Sequence, residues 1–259
     1  MDYTHPANQE PVHFDHLLIY DTETAGLTKE EGVVEHAYVE IDDNFNVLGQ
    51  MHTLINPPGD VNPSAAGVHG ITKDMVKDAP SMDKFMREIH GDRFAGKVVC
   101  IIAHNAKFDL KYIEEYCGRA KTLCTLKLAR LAFPKDTEGQ PEGYTPPPNH
   151  KLPTMMFYLG LTKAGTHNAL DDVHTCRQLL IACCKKLGIT LEEAYHLTNK
   201  PMLVKTVPMG KHKGKKVKEV PLDWIEWALA NMENMDEDLR YTLEEEKKSR
   251  PPLPRRRAY

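Results

Sequence analysis

At 259 residues the chain can form one large domain, or one domain with a small appendage, and 41% hydrophobic with 27% charged residues is an ordinary globular composition. The formal net charge of −4 excludes a global polyanion-binding signature, so any contact with nucleic acid has to be local. Six cysteines with no CxxC pair exclude a zinc knuckle, and the absence of an apolar leader or a membrane-length apolar run predicts a cytoplasmic protein with no membrane contact.

Residues 1–13 are polar and expected to be flexible. Leu17 to Tyr20 is an apolar run that predicts a central strand, ending in Asp21-Thr22-Glu23-Thr24; the period of a strand places Asp21 and Glu23 on one face. Val33–Ile41 and Val47–Ile55 predict two more strands, joined by the turn residues Asp42-Asp43-Asn44 into an antiparallel meander. Ser64–Val76 reads as either helix or loop, and Ser81 is expected to cap an amphipathic helix carrying Met82, Phe85, Met86 and Ile89. Val98–Ile102 has the continuous apolar character of a strand buried on both faces; it leads into His104-Asn105-Ala106-Lys107-Phe108-Asp109 and a helix from Leu110. A short strand and helix follow over Leu123–Phe133. Pro134–Pro148, with five prolines and two glycines, predicts an exposed loop. Leu152–Leu161 and a long segment from Thr166 to about Leu187 read as helices, the second opening with His167-Asn168-Ala169-Leu170-Asp171-Asp172. The order indicates a mixed sheet with helices on its faces. A boundary is expected near Asn199, because residues 200–218 hold seven lysines and no acid before residue 219; a small basic and helical module over 200–248 and a disordered basic tail over 249–259 complete the chain.

Asp21, Glu23, Asp109 and either Asp171 or Asp172 thus stand at strand ends or helix starts. Like charges held that close are costly unless a cation neutralises them, and oxygen-only donors suit hard divalent ions, two of which about 4 Å apart can clamp a phosphodiester. His167, five residues before Asp172, has an ordinary pKa of about 6.5 that suits it to take a proton from water. Taken singly, the bland readings are a solvated acidic turn, Asp171 as a helix cap and His167 as a surface or core histidine.

The three blocks Asp21-Thr22-Glu23-Thr24, His104-Asn105-Ala106-Lys107-Phe108-Asp109 and His167-Asn168-Ala169-Leu170-Asp171-Asp172 together resemble the motifs of DnaQ-like, DEDDh-type 3′→5′ exonucleases, and Val68-His69-Gly70-Ile71-Thr72 adds a phrase common there. The resemblance spans Leu17 to about Leu187. It implies an α/β, ribonuclease H-like mixed sheet with helices on both faces, over residues 14–199. It also implies two Mg²⁺ ions, with Mn²⁺ an accepted substitute. Asp21 would bridge both ions, Glu23 and Asp172 would hold the first, Asp109 the second, and His167 would act as general base. The motif spacing selects Asp172 over Asp171. Thr24, Ala25, Gly26 and Leu27 match the turn under the terminal nucleotide, flanked by His104 and Asn105.

Gly210-Lys211-His212-Lys213-Gly214-Lys215, Trp224-Ile225-Glu226-Trp227 and Cys124-Thr125-Leu126-Lys127-Leu128-Ala129-Arg130 resemble the exodeoxyribonuclease X branch of this family, which implies DNA, single-stranded or duplex 3′ ends, as substrate and partner. Lys211, Lys213 and Lys215 are then phosphate contacts rather than a solvated linker, and Trp224 and Trp227 are expected in a small core. The chain departs from that branch in its proline-rich loop and its extra terminal residues. Two alternatives are an RNA-trimming exonuclease, which needs contacts to the 2′-OH, and a silent DNA-end-binding or polymerase-associated module, which would have lost a metal ligand that this chain keeps. No feature identifies a protein partner.

Overall fold

The computed structural model describes residues 10–90, 94, 96–117, 120–161, 168–233 and 235–250, with the backbone alone at 89 and 90. The chain divides into two compact units, Met1–Asn199 and Lys200–Tyr259.

The first unit is built on a sheet of order β3-β2-β1-β4-β5, with β1 at His16–Thr24, β2 at Val33–Ile41, β3 at Val47–Leu54, β4 at Val99–Ala103 and β5 at Lys121–Cys124. β2 is antiparallel to its two neighbours β1 and β3, and β4 and β5 run parallel to β1. Eight helices accompany the strands among the described residues of this unit, α1 (Pro63–His69), α2 (Lys73–Val76), α3 (Met82–Lys84), α4 (Ala106–Cys117), α5 (Thr125–Ala132), α6 (Leu152–Tyr158), α7 (Ala169–Leu187) and α8 (Leu191–Thr198), and the second unit holds α9 (Leu222–Asn231) and α10 (Glu237–Ser249). None is long and apolar enough to cross a membrane.

Strand parity divides β1 between two cores. Leu17 and Ile19 pack with Val173, Cys176 and Leu179 of α7 and with Leu128 of α5, whereas Leu18 and Tyr20 pack with Tyr112 and Ile113 of α4 and with Phe85. All four β1 side chains are nearly excluded from water, worth about 1.5–3 kcal/mol each for the aliphatic ones. The same parity carries past Tyr20 to the polar end of the strand, and this decides what each following residue can meet.

Local differences from the sequence reading have physical causes. Gly70, at φ 76°, ends α1 and splits the 64–76 stretch into two short helices. Ser81 does cap α3, accepting from the Lys84 N–H, but the helix then widens into a π-helix over Phe85–His90. β2 is buried along its whole length, and its polar members are paired: Glu35 with His52, His36 with Tyr20 and Glu40 with His16, each at 2.6 Å. α4 begins at Ala106, earlier than expected, so Asp109 sits in its first turn. The 134–148 segment holds no regular element, as its prolines require, yet it is tied down. Tyr144 Oη donates to the Pro134 carbonyl, Tyr158 Oη donates to the Thr145 carbonyl, and the buried His150 Nε2 donates to the Phe133 carbonyl.

In the second unit, residues 205–207 and 215–217 pair as a short hairpin through Val207 N–H to Lys215 O and Val217 N–H to Lys205 O. Val207, Val217, Val220, Ile225, Leu239 and Leu243 form its core. Trp224 packs against that core, but Trp227 is 55% exposed and corrects the expectation that both tryptophans are internal. Ser249 still belongs to α10. Arg250 pairs with Glu246 and donates to the carbonyls of Val217, Lys218 and Val220, so these two residues are ordered although both were expected in a loose tail. Residues 1–9 and 251–259 of the expected flexible ends lie outside the described residues.

Candidate active site

Asp21 and Glu23 continue the face of β1 that meets α7. Asp172 lies in the first turn of α7, and one carboxylate oxygen from each of Asp21, Glu23 and Asp172 falls within 4.8 Å of the others. Asn168 begins that helix as N-cap: its side-chain oxygen accepts the Asp171 N–H at 2.8 Å, and its amide donates to the Asp171 carboxylate. Asp171 is therefore engaged with the cap, while Asp172, one residue on, is turned to the strand.

Asp109 arrives from the opposite face. Thr22, between the two acids of β1, donates to Asp109 Oδ1 through both its N–H (3.1 Å) and its hydroxyl (2.9 Å). Four carboxylates thus converge on one strand end from both sides of the sheet.

Their ionisation reflects that crowding. Burial, then the charges of Asp109, Asp172, Glu23 and Glu35, hold Asp21 well above the usual carboxylate range. Burial with the charges of Asp172, Glu35 and Asp109 pushes Glu23 up to about 7. Asp109 is pushed up to about 7 by burial, against the opposing bonds from Thr22. Mutually repelling, oxygen-only donors of this kind fit a hard divalent cation, so Asp21, Glu23 and Asp172 form a group able to bind one.

The rim is built by the turn after β1. Thr24 Oγ1 donates to the Gly26 carbonyl, Ala25 exchanges backbone bonds with Gly32 and Asn62, and Leu27 is left 86% exposed. Gly26 lies so close to the Glu31 carboxylate that an added Cβ would overlap it. His69 supports the turn from below: its Nδ1 accepts the Ile71 N–H, so its Nε2 donates to the Thr24 carbonyl. Asn105 is exposed, in the left-handed region at φ 75° that asparagine tolerates better than most residues.

His104 is placed differently from the expectation of a substrate contact. Both ring nitrogens are occupied within the protein, Nε2 donating to the His150 carbonyl (2.8 Å) and Nδ1 facing the Thr125 hydroxyl (3.1 Å). Burial pushes its pKa down to about 4. The ring anchors the 134–150 loop to the end of β4. His167 lies outside the described residues. Lys211, Lys213 and Lys215 belong to the second unit, exposed on its hairpin; between them the buried His212 stacks edge-on against Trp224, with ring centroids 5.0 Å apart. Thr22, Glu35 and His69 were missed as site residues. Parity alone could have flagged Thr22, whereas nothing in the order of residues pairs Glu35 or His69 with their partners.

A mixed five-stranded sheet with helices on both faces, gathering acids at the end of its central strand, defines a nuclease domain of ribonuclease H-like architecture. The chain belongs to the exonuclease family: residues 18–180 match the RNase T model described as Exonuclease. It is 32% identical to Exodeoxyribonuclease 10 of Escherichia coli K12 over 231 residues, covering 88% of this chain and 96% of that one. It is 27% identical to the DNA polymerase III subunit epsilon of Treponema pallidum over 62% of this chain and 72% of that one. Among solved structures it is similar to Exonuclease X in complex with 5′ overhanging duplex DNA, at 28% identity and a TM-score of 0.56, covering 71% of this chain and 99% of that one. Escherichia coli Exonuclease I in complex with a dA16 oligonucleotide, at 19% identity and a TM-score of 0.55 over 70% of this chain and 42% of that one, shares the fold.

Proposed function

We propose that this exonuclease is a divalent-cation-dependent 3′→5′ exodeoxyribonuclease that releases nucleoside monophosphates from DNA ends, with Mg²⁺ as its working ion. The observation that carries the reading is the meeting of Asp21, Glu23 and Asp172 within 4.8 Å, with Asp109 bound to the intervening Thr22. Glu23 and Asp172 would hold one cation, Asp109 a second, and Asp21 both. Bound there, the ions would lower the pKa of the attacking water and offset charge developing on the phosphate.

The chain's own groups do the rest. His167 takes the proton of the attacking water. The turn Thr24–Leu27 lies under the terminal nucleotide, with the bare side chain of Leu27 against its base, and Asn105 borders the same cleft. Lys211, Lys213 and Lys215 contact phosphates without regard to sequence, as clustered exposed lysines do. Six free cysteines suit the reducing cytoplasm in which we place the protein.

The test is a time course on 5′-labelled single-stranded DNA, duplex DNA and matching RNA, with Mg²⁺ or with EDTA, beside Asp21→Ala and His167→Ala. A metal-dependent ladder shortening from the DNA 3′ end, lost in both variants, is the expected result. Binding without degradation would overturn the enzyme reading, and faster loss of RNA would move the substrate.

A further inference from the structure

We infer that Glu35 is a positioning residue for the cation site, holding the start of α7, and with it Asp172, against the end of β1. Resting on the reading that Asp21, Glu23 and Asp172 bind a divalent cation, this assigns a role to a carboxylate outside that group.

Glu35 lies in the middle of three elements. On β2 it is the cross-strand partner of Glu23 in the antiparallel register, and it is 3% exposed. One carboxylate oxygen pairs with His52 Nε2 of β3 at 2.6 Å; the other accepts the Ala169 N–H at 2.9 Å. Ala169 is the first residue of α7, so its N–H is among those that a helix cannot satisfy internally. Asn168 serves the Asp171 N–H and Glu35 the Ala169 N–H, and the two bonds together set both the position and the rotation of the helix start.

Rotation is what matters to the site. A turn of α7 by one residue would exchange Asp172 for Asp171 or Val173 at the strand end, since successive helical residues point about 100° apart. The core below also constrains α7, through Ala169, Leu170, Val173 and Cys176. At the first turn the polar anchor is Glu35. His52 in turn fixes the carboxylate, and being 39% exposed on its side chain it joins this anchor to the surface of β3. Partners that orient metal ligands in this way typically change affinity by about 10–100-fold when removed.

The experiment titrates Mn²⁺ by calorimetry into the full-length chain, wild type beside Glu35→Ala, Glu35→Gln and His52→Ala, and measures kcat and KM on single-stranded DNA. Glu35→Ala is expected to weaken Mn²⁺ binding by about 10–100-fold and to lower kcat with KM nearly unchanged. Glu35→Gln keeps an amide oxygen for the Ala169 N–H and should recover most of that loss; His52→Ala, which removes only the outer partner, should fall between wild type and Glu35→Ala. Wild-type Mn²⁺ affinity in Glu35→Ala, or equal loss in Glu35→Gln and Glu35→Ala, overturns the inference. If Glu35→Ala does not fold, unchanged affinity in His52→Ala overturns it. A wild-type chain that binds no Mn²⁺ would instead overturn the cation reading itself.

Discussion

Thr22 holds Asp109 with two hydrogen bonds, from its N–H at 3.1 Å and its hydroxyl at 2.9 Å, so the residue between the two strand acids governs the acid that comes from the other face of the sheet. A Thr22→Val variant keeps the N–H bond and the shape but loses the hydroxyl. We expect a loss of about 1–2 kcal/mol in stability and roughly a tenfold fall in turnover, with Thr22→Ser close to wild type. Chemical denaturation and a rate measurement across a metal titration check this.

The raised carboxylates make the metal-free protein sensitive to alkali. Asp21, Glu23 and Asp109 bind protons more tightly folded than unfolded. Their contribution to stability is complete below the ordinary carboxylate range near 4; that of Glu23 and Asp109 is lost as pH rises through about 7, and that of Asp21 as pH rises through its own raised value. The melting temperature with EDTA should therefore fall between pH 5 and pH 8, and added Mg²⁺ should restore more at pH 8 than at pH 5. Asp21→Asn should abolish activity and raise the metal-free melting temperature at pH 8, by about 2–4 °C for each kcal/mol of repulsion relieved.

His104 has the opposite dependence. Its folded pKa of about 4 lies below the unfolded value near 6.5. Burial favours the neutral ring, so its contribution is fully present above pH 6.5 and is lost as pH falls toward 4, by up to about 3 kcal/mol. The stability advantage of wild type over His104→Gln, measured by urea unfolding, should shrink over that interval.

Gly26 is tested by adding one carbon. The Cβ of Gly26→Ala would overlap the Glu31 carboxylate, which accepts the Thr28 N–H in a capping box. Displacing it should cost about 1 kcal/mol and shift the turn that carries Leu27. A raised KM on DNA with little change in metal affinity is the expected outcome.

The hairpin lysines should show themselves in salt dependence. If Lys211, Lys213 and Lys215 each neutralise a phosphate, replacing all three by alanine in the full chain should flatten the slope of log affinity against log salt. The change should be about 0.7 per lysine on single strands and about 0.9 on duplex. An unchanged slope would count against their contact with DNA.

The order of residues determined a good deal by itself. Short apolar runs placed β1, β2 and β4, because a strand packed on both faces needs apolar residues at nearly every position whatever surrounds it. Asp21 and Glu23 sharing a face followed from the period of a strand. Tertiary structure decided the rest. That Asp172 is turned to the strand acids depends on how the start of α7 is held, by the local Asn168 cap and by Glu35, 134 residues from Ala169 in sequence. That His104 anchors a loop depends on the carbonyl of His150, 46 residues on. Local periodicity records which face of an element is wet or dry; which distant group fills that face is settled only when the elements pack.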